Sequence, residues 1–249
     1  MDLKRRIPAL TLGSMVLAAT ALSGVSAVAA QDEMAGPVYR FTITNNTPGQ
    51  PLTPPVIAIH DANTAVVTGG APASEGIQQQ AENGNNGPLV EALEADPYVF
   101  GIGQGESPIV AEGVPGSADF PASVTIDVSG AEGAGYFTLT AMMICTNDGF
   151  AVLDNEMLPT EMGEIISLQA RAYDAGTETN TEDHADLVPP CQGLTGVASD
   201  DDGAGASNPD LAEGGVIAPH AGIAGGTDLD AEIHAIATYP ADVTVELIG

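Results

Sequence analysis

Two stretches at opposite ends of the chain alternate apolar and polar residues with period two: Val38-Tyr39-Arg40-Phe41-Thr42-Ile43-Thr44 and Ala241-Asp242-Val243-Thr244-Val245-Glu246-Leu247-Ile248. Such alternation places one set of side chains on each face of a pleated strand, so each stretch has one buried and one wet face. A parallel sheet buries both faces and reads as continuous apolar runs; half-buried strands at both termini therefore point to an antiparallel sandwich. Further strand signals fall at residues 56–60, 65–68, 107–111, 122–128, 136–144 and 164–171. The run 136–144 becomes apolar on both faces near its end, as a central strand does. Between residues 73 and 97 the period changes to a helical one. Ser74 is followed by Gln78 and Glu82, and Pro88 is placed to open a second helix over 88–95. The expected fold is all-β, antiparallel, with two short helices.

Composition decides whether such a fold has a core. The 249 residues are 44% hydrophobic with a mean hydropathy of +0.12, too apolar for disorder despite a net charge of −29. Aromatics are 4% and Trp is absent, so Val, Ile, Leu and Ala must fill the interior. Residues 1–30 have the order of an export signal: basic Lys4-Arg5-Arg6, an apolar stretch to about Leu22, and small residues ending at Ala29 and Ala30, near which cleavage is expected. The domain is then 37–249. Arg5-Arg6 hints at twin-arginine export, although Ile7-Pro8-Ala9 fits that route poorly. Without the leader, 5 − 3 = 2 basic and 34 − 1 = 33 acidic residues remain, a net of −31 with no lysine. That surface repels phosphate backbones and anionic headgroups, which excludes nucleic acid and membrane surfaces as partners. No later segment approaches the length of a spanning helix. The expected location is periplasmic or secreted, and the expected state a monomer.

Cys145 and Cys191 suit an oxidising compartment as a disulfide; a free buried thiol at Cys145 or a metal pair are the rivals. Enzyme signatures are weak. Gly101-Ile102-Gly103-Gln104-Gly105-Glu106 lacks the last glycine and the βαβ setting of a dinucleotide loop, and a P-loop needs a lysine. His60, His184, His220 and His234 stand singly, without zinc-hydrolase spacing; His60 ends an apolar strand, where a buried imidazole needs a partner. What the chain does offer is oxygen ligands for a hard cation. Residues 174–230 carry almost no periodic signal and are rich in Gly and Asp, the mark of a functional loop. The run Asp200-Asp201-Asp202 within it lacks EF-hand spacing and reads as a solvated turn. A better constellation is Thr146-Asn147-Asp148-Gly149-Phe150 with Asp154, together with Tyr173-Asp174-Ala175-Gly176-Thr177-Glu178. If the intervening strands pair as a hairpin, both loops leave at neighbouring strand ends; ordinary Asx turns are the other reading.

At these residues the chain resembles the spondin N-terminal domain family, in its bacterial branch. In its animal members, F-spondin and mindin, a strand runs into Ser-Pro-Asp-Trp-Phe, with a second Asp six residues after the first. Here Asp148, Phe150 and Asp154 keep the acids and the Phe, while Gly149 stands at the Trp position. Tyr173-Asp174-Ala175-Gly176-Thr177-Glu178 matches a later Tyr-Asp-Ala-Gly-Thr-Asp segment, and the opening and closing strands are similar too. The resemblance implies a C2-like β-sandwich with calcium held by loops at one end, Asp148 and Asp174 as ligands, and Asp154 and Glu178 as further candidates.

The expected function is that of an exported, non-enzymatic, calcium-binding module for adhesion or envelope binding, with a surface glycan or protein as partner. The alternative is a structural envelope protein whose acids are an adaptation to high salt. A hydrolase built on an acid pair ranks below both, since no pair in a pKa-raising setting is visible in sequence.

Overall fold

The two terminal stretches, β1 (Val38–Asn45) and β9 (Ala241–Leu247), lie side by side antiparallel, with Phe41 opposite Val245. They are the centre of a first layer, completed by β4 (Ser123–Ser129) on β1 and by the first part of β7 (Ile165–Asp174) on β9. The computed structural model describes residues 36–249, and Gly36–Gly249 form one compact unit. The export signal and its cleavage near Ala29 and Ala30 lie outside the described residues.

The second layer runs β3 (Val99–Gln104), β2 (Val56–His60), β5 (Tyr136–Met142), β6 (Gly149–Met157) and the end of β7, with β8 (Ala218–Pro219) added to β7. Every pairing is antiparallel. Because β7 pairs with β9 through Ile165–Ala170 and with β6 through Arg171–Asp174, one strand joins both layers. The other ends of the path, β3 and β4, also meet: a Cβ on Gly103 would lie 2.5 Å from a methyl of Val128, and one on Gly101 would strike the Ser129 carbonyl oxygen. The fold is thus an all-β, sandwich-like, nearly closed sheet.

Between the layers, Tyr39, Phe41 and Ile43 of β1 and Val243 and Val245 of β9 pack on Ile57, Ile59, Phe137, Leu139 and Leu153. Phe41 and Phe137 meet edge to face at 5.1 Å. The first layer's outer face is polar, as alternation requires: Arg40 grips Asp127 through two 2.8 Å bonds, and Thr42 meets Thr125. The second layer is buried on both faces, because α1 (Glu75–Asn83) and α2 (Gly87–Ala95) cover its outside with Ile77, Ala81, Leu89 and Leu93. That cover explains why β2 reads as an unbroken apolar run and why Thr138 and Thr140 of β5 are buried along with its apolar residues. The Ser74 side chain caps α1, and Pro88 sits in the first turn of α2.

Several expectations change. Residues 65–68 and 107–111 are not strands: Val67 is buried under the helices without a ladder, and Ile109 makes a single bridge to Leu52. β3 and β6 carry no alternation that announces them. A third helix, α3 (Pro190–Thr195), interrupts the long acidic segment. That segment is anchored by buried Leu187, Leu194, Ile217 and Leu229. Cys145 and Cys191, both fully buried, are joined in a disulfide with Cα atoms 5.1 Å apart, so the thiol and metal-pair readings fall. Among the described residues, no helix is long and apolar enough to cross a membrane.

Candidate functional site

The hairpin condition for the acidic loops holds. Antiparallel pairing sets Gly149 opposite Asp174, so the turn before β6 and the turn after β7 leave the same end of the second layer. The Asp148 turn is fixed from behind. Cys145 is tied to α3 by its disulfide, and its backbone N–H and C=O are both bonded to the buried Gln50 amide, at 2.8 and 3.1 Å. Thr146 Oγ1 donates to the Met143 carbonyl and accepts from the Gly149 N–H. A Cβ at Gly149 would sit 2.6 Å from Thr146 Oγ1 and 2.9 Å from the His220 ring, so the turn has no room for a larger residue there.

Asp148 is fully buried. Its Oδ2 accepts three hydrogen bonds from the loop after β7: Thr177 N–H at 2.7 Å, Thr177 Oγ1 at 3.1 Å and Glu178 N–H at 3.1 Å. Its Oδ1 is buried with no hydrogen-bond partner. Burial pushes the Asp148 carboxyl up to about 6 and the neighbouring Asp174 charge adds to this, against the three bonds that favour the anion. Asp174 shapes its own turn, Oδ1 accepting from Gly176 N–H at 2.7 Å and Oδ2 from Asn180 at 2.6 Å. Asp174 thus closes an Asx turn through Oδ1. Gly176 is obligatory there, with φ at 68° and Val216 backbone 2.5 Å from any Cβ.

Glu178 belongs to the same loop but turns away. Its carboxylate accepts from Asn208 N–H at 2.6 Å, and it is 4% exposed. Burial raises its pKa to about 7; the Asn208 bond opposes this, and the Glu82, Asp148 and Asp186 charges reinforce it. Glu82 contributes a second orphan, a buried Oε2 without a partner. Asp154 is elsewhere. Residues 149–157 are strand, and at about 3.3 Å per residue Asp154 lies roughly 16 Å along β6 from Gly149. It sits at a bulge with Asn155, whose φ is 54°, facing Thr138. Thr138 is also the partner His60 needed: the His60 Nδ1–H donates to the Asp61 carbonyl at 2.8 Å, and Nε2 accepts from Thr138 Oγ1 at 3.0 Å. Beside Asp154, where β6 and β7 part, lies a cleft of about 230 Å³ lined by Asp154, Glu156, Gln169, Arg171 and Tyr173.

A line of carboxylates thus runs through this end, from Asp174 through Asp148 and Glu178 to Glu82 and Asp186. Residues 36–249 hold 34 − 3 = 31 acids and two arginines. Arg40 is paired with Asp127 on the other layer, and Arg171 lines the cleft. No guanidinium neutralises the line, which leaves protons or a metal cation. Asp148 and Asp174 are the pair that could take a hard cation, since the ionised Asp148 Oδ1 has no donor and Asp174 is its charged neighbour. Asp154 does not converge with them, whereas Glu178 stays close enough for the Asp148 charge to act on it while its carboxylate accepts from Asn208 N–H. Glu82, Asp186 and His220 are additions that no local pattern signals, because each arrives from a distant element. The His220 Nε2 is buried without a partner, and burial lowers its pKa against the pull of Asp174 and Glu182.

Compared with known proteins, the chain matches no protein-family model and no curated protein.

Proposed function

We propose that this protein is an exported, non-enzymatic, calcium-dependent binding module whose ion is held by Asp148 and Asp174 at one end of the second layer. The observation that carries the reading is Asp148 Oδ1: a buried carboxylate oxygen with no hydrogen-bond donor to meet it, beside a second carboxylate and, among the described residues, with no arginine acting on it. Calcium takes carboxylate and carbonyl oxygens, so it suits such a place. The cleft beside Arg171 and Tyr173 offers a surface glycan or protein ligand mixed charge and an aromatic face. Against an enzyme stands the burial of the perturbed acids: Asp148 is inaccessible and Glu178 nearly so. Millimolar calcium is expected to raise the melting temperature, and Asp148→Asn with Asp174→Asn to abolish the rise.

A second reading, a salt-adapted envelope protein, is favoured by the ratio of 31 acids to two arginines. It predicts strong stabilisation by NaCl and none by calcium at constant ionic strength.

The metal-free protein carries a pH signature. Asp148 at about 6 and Glu178 at about 7 lie above the unfolded carboxyl range, near 4. The folded state therefore keeps protons that the unfolded chain has released. The stability these groups contribute is complete below about pH 4 and is lost as pH rises to about 7. Calorimetry in chelator should give a melting temperature several degrees lower at pH 7.5 than at pH 5.5. A melting temperature that rises across that window contradicts the assignment.

A further inference from the structure

We infer that Asp183, Asp201 and Asp228 form a divalent-cation site in the acidic segment, separate from the Asp148 end. One carboxylate oxygen from each residue lies within 4.8 Å of the others. Oxygens no farther apart than that can share one cation, whose opposite ligands at about 2.4 Å each stand about 4.8 Å from one another. The three acids come from three loops far apart in sequence, and like charges brought this close repel unless something positive lies between them. Among the described residues the two arginines are engaged elsewhere, Arg40 paired with Asp127 and Arg171 lining the cleft beside Asp154.

The independent pointer to a ligand is His184. Its side chain is 1% exposed and both ring nitrogens lack a hydrogen-bond partner, a costly condition for a buried imidazole. Its Nδ1 faces the carboxylate cluster, 3.9 Å from Asp228 Oδ2. A hydrated cation among the three carboxylates balances their charge and brings a water or an open coordination position to the imidazole Nδ1. The donor set is oxygen with one nitrogen at its rim, which suits calcium and manganese.

The loops are held for this. The Glu182 carboxylate is cradled by the N–H groups of Ala224, Gly225 and Gly226, and Asp228 N–H bonds to the Glu182 carbonyl, which docks the Asp228 loop on the Asp183 loop. The Asp201 loop is fixed by Gln192 of α3, whose amide bonds the Asp201 carbonyl and the Ser199 N–H. Asp200-Asp201-Asp202 is therefore more than a solvated turn: its middle residue points into the cluster.

The test is calorimetric titration of chelator-stripped protein with CaCl2 and with MnCl2, comparing wild type, Asp201→Asn and the neighbouring Asp202→Asn. Asp201 is exposed, so its substitution leaves the fold intact. The expected result is that Asp201→Asn loses one binding event, or weakens it tenfold or more, while Asp202→Asn stays within twofold of wild type. Equal losses in the two variants would mean diffuse attraction to an acidic surface and overturn the inference. So would wild-type binding that Asp201→Asn leaves unchanged; if that remaining event vanishes in Asp148→Asn, the Asp148 reading stands on its own.

Discussion

Replacing Cys145 and Cys191 together by Ala is expected to lower stability by about 4 kcal/mol, because the bond closes a loop of 46 residues and its removal frees that loop in the unfolded chain. For a chain of this size the melting temperature should fall by roughly 8 to 16 °C. Both sulfurs are buried in a small cluster with Val110, Ile144, Leu187, Leu194 and Leu229, the main apolar anchor of the acidic segment on the sandwich. Loss of the bond should therefore also detach that segment, which limited proteolysis would register as early cleavage between residues 192 and 215. A drop of less than about 3 °C with unchanged proteolysis would contradict this role.

Gly101→Ala is expected to cost about 3 kcal/mol, at the upper end for overpacking, because the new Cβ meets backbone rather than a movable side-chain tip. The strand cannot retreat easily: Gly101 pairs with Ile59 of β2, and β2 is buried on both faces. A matched control is Gly193→Ala within α3, where a Cβ meets nothing within 4 Å and φ is ordinary. That change should stabilise by about 0.5–1 kcal/mol through reduced chain entropy. Equal effects from the two would mean that β3 and β4 do not meet as described. Thermal unfolding of both variants decides the matter.

These two sites show why the sequence was legible in some places and not in others. β1, β4 and β9 face the core on one side and water on the other, so alternation alone found them. β2 is legible as an apolar run and β5 as a strand that turns apolar toward its end, and the helices that bury their second face are signalled by Ser74 and Pro88. β3 was invisible because its glycines, required by the approach of β4, also erase strand propensity. β6 was hidden by the Asn147-Asp148-Gly149 turn at its start and the Asp154-Asn155 bulge near its end. Missing β6 had a cost at the site, since a six-residue spacing that suggested one loop is in fact an extended strand separating Asp148 from Asp154. The converse error, strands read at 65–68 and 107–111, arose where apolar residues are buried by packing without a ladder. Asp148 and Asp174 were brought together by register, which strand ends reveal. Asp183, Asp201 and Asp228 meet through loops anchored by a disulfide and by Gln192, and no spacing rule reaches that far.

Calcium dependence turns on one buried oxygen, Asp148 Oδ1. Thermal unfolding at pH 7.5 and constant ionic strength, with and without millimolar calcium, should be measured on wild type and on Asp148→Asn. A calcium-dependent rise of several degrees is expected in wild type and is lost in Asp148→Asn. The metal-free melting temperature of Asp148→Asn is expected at or above that of wild type, because the amide removes an uncompensated buried charge. A wild-type melting temperature indifferent to calcium but raised strongly by NaCl would contradict calcium dependence and leave the acidic surface as an adaptation to salt.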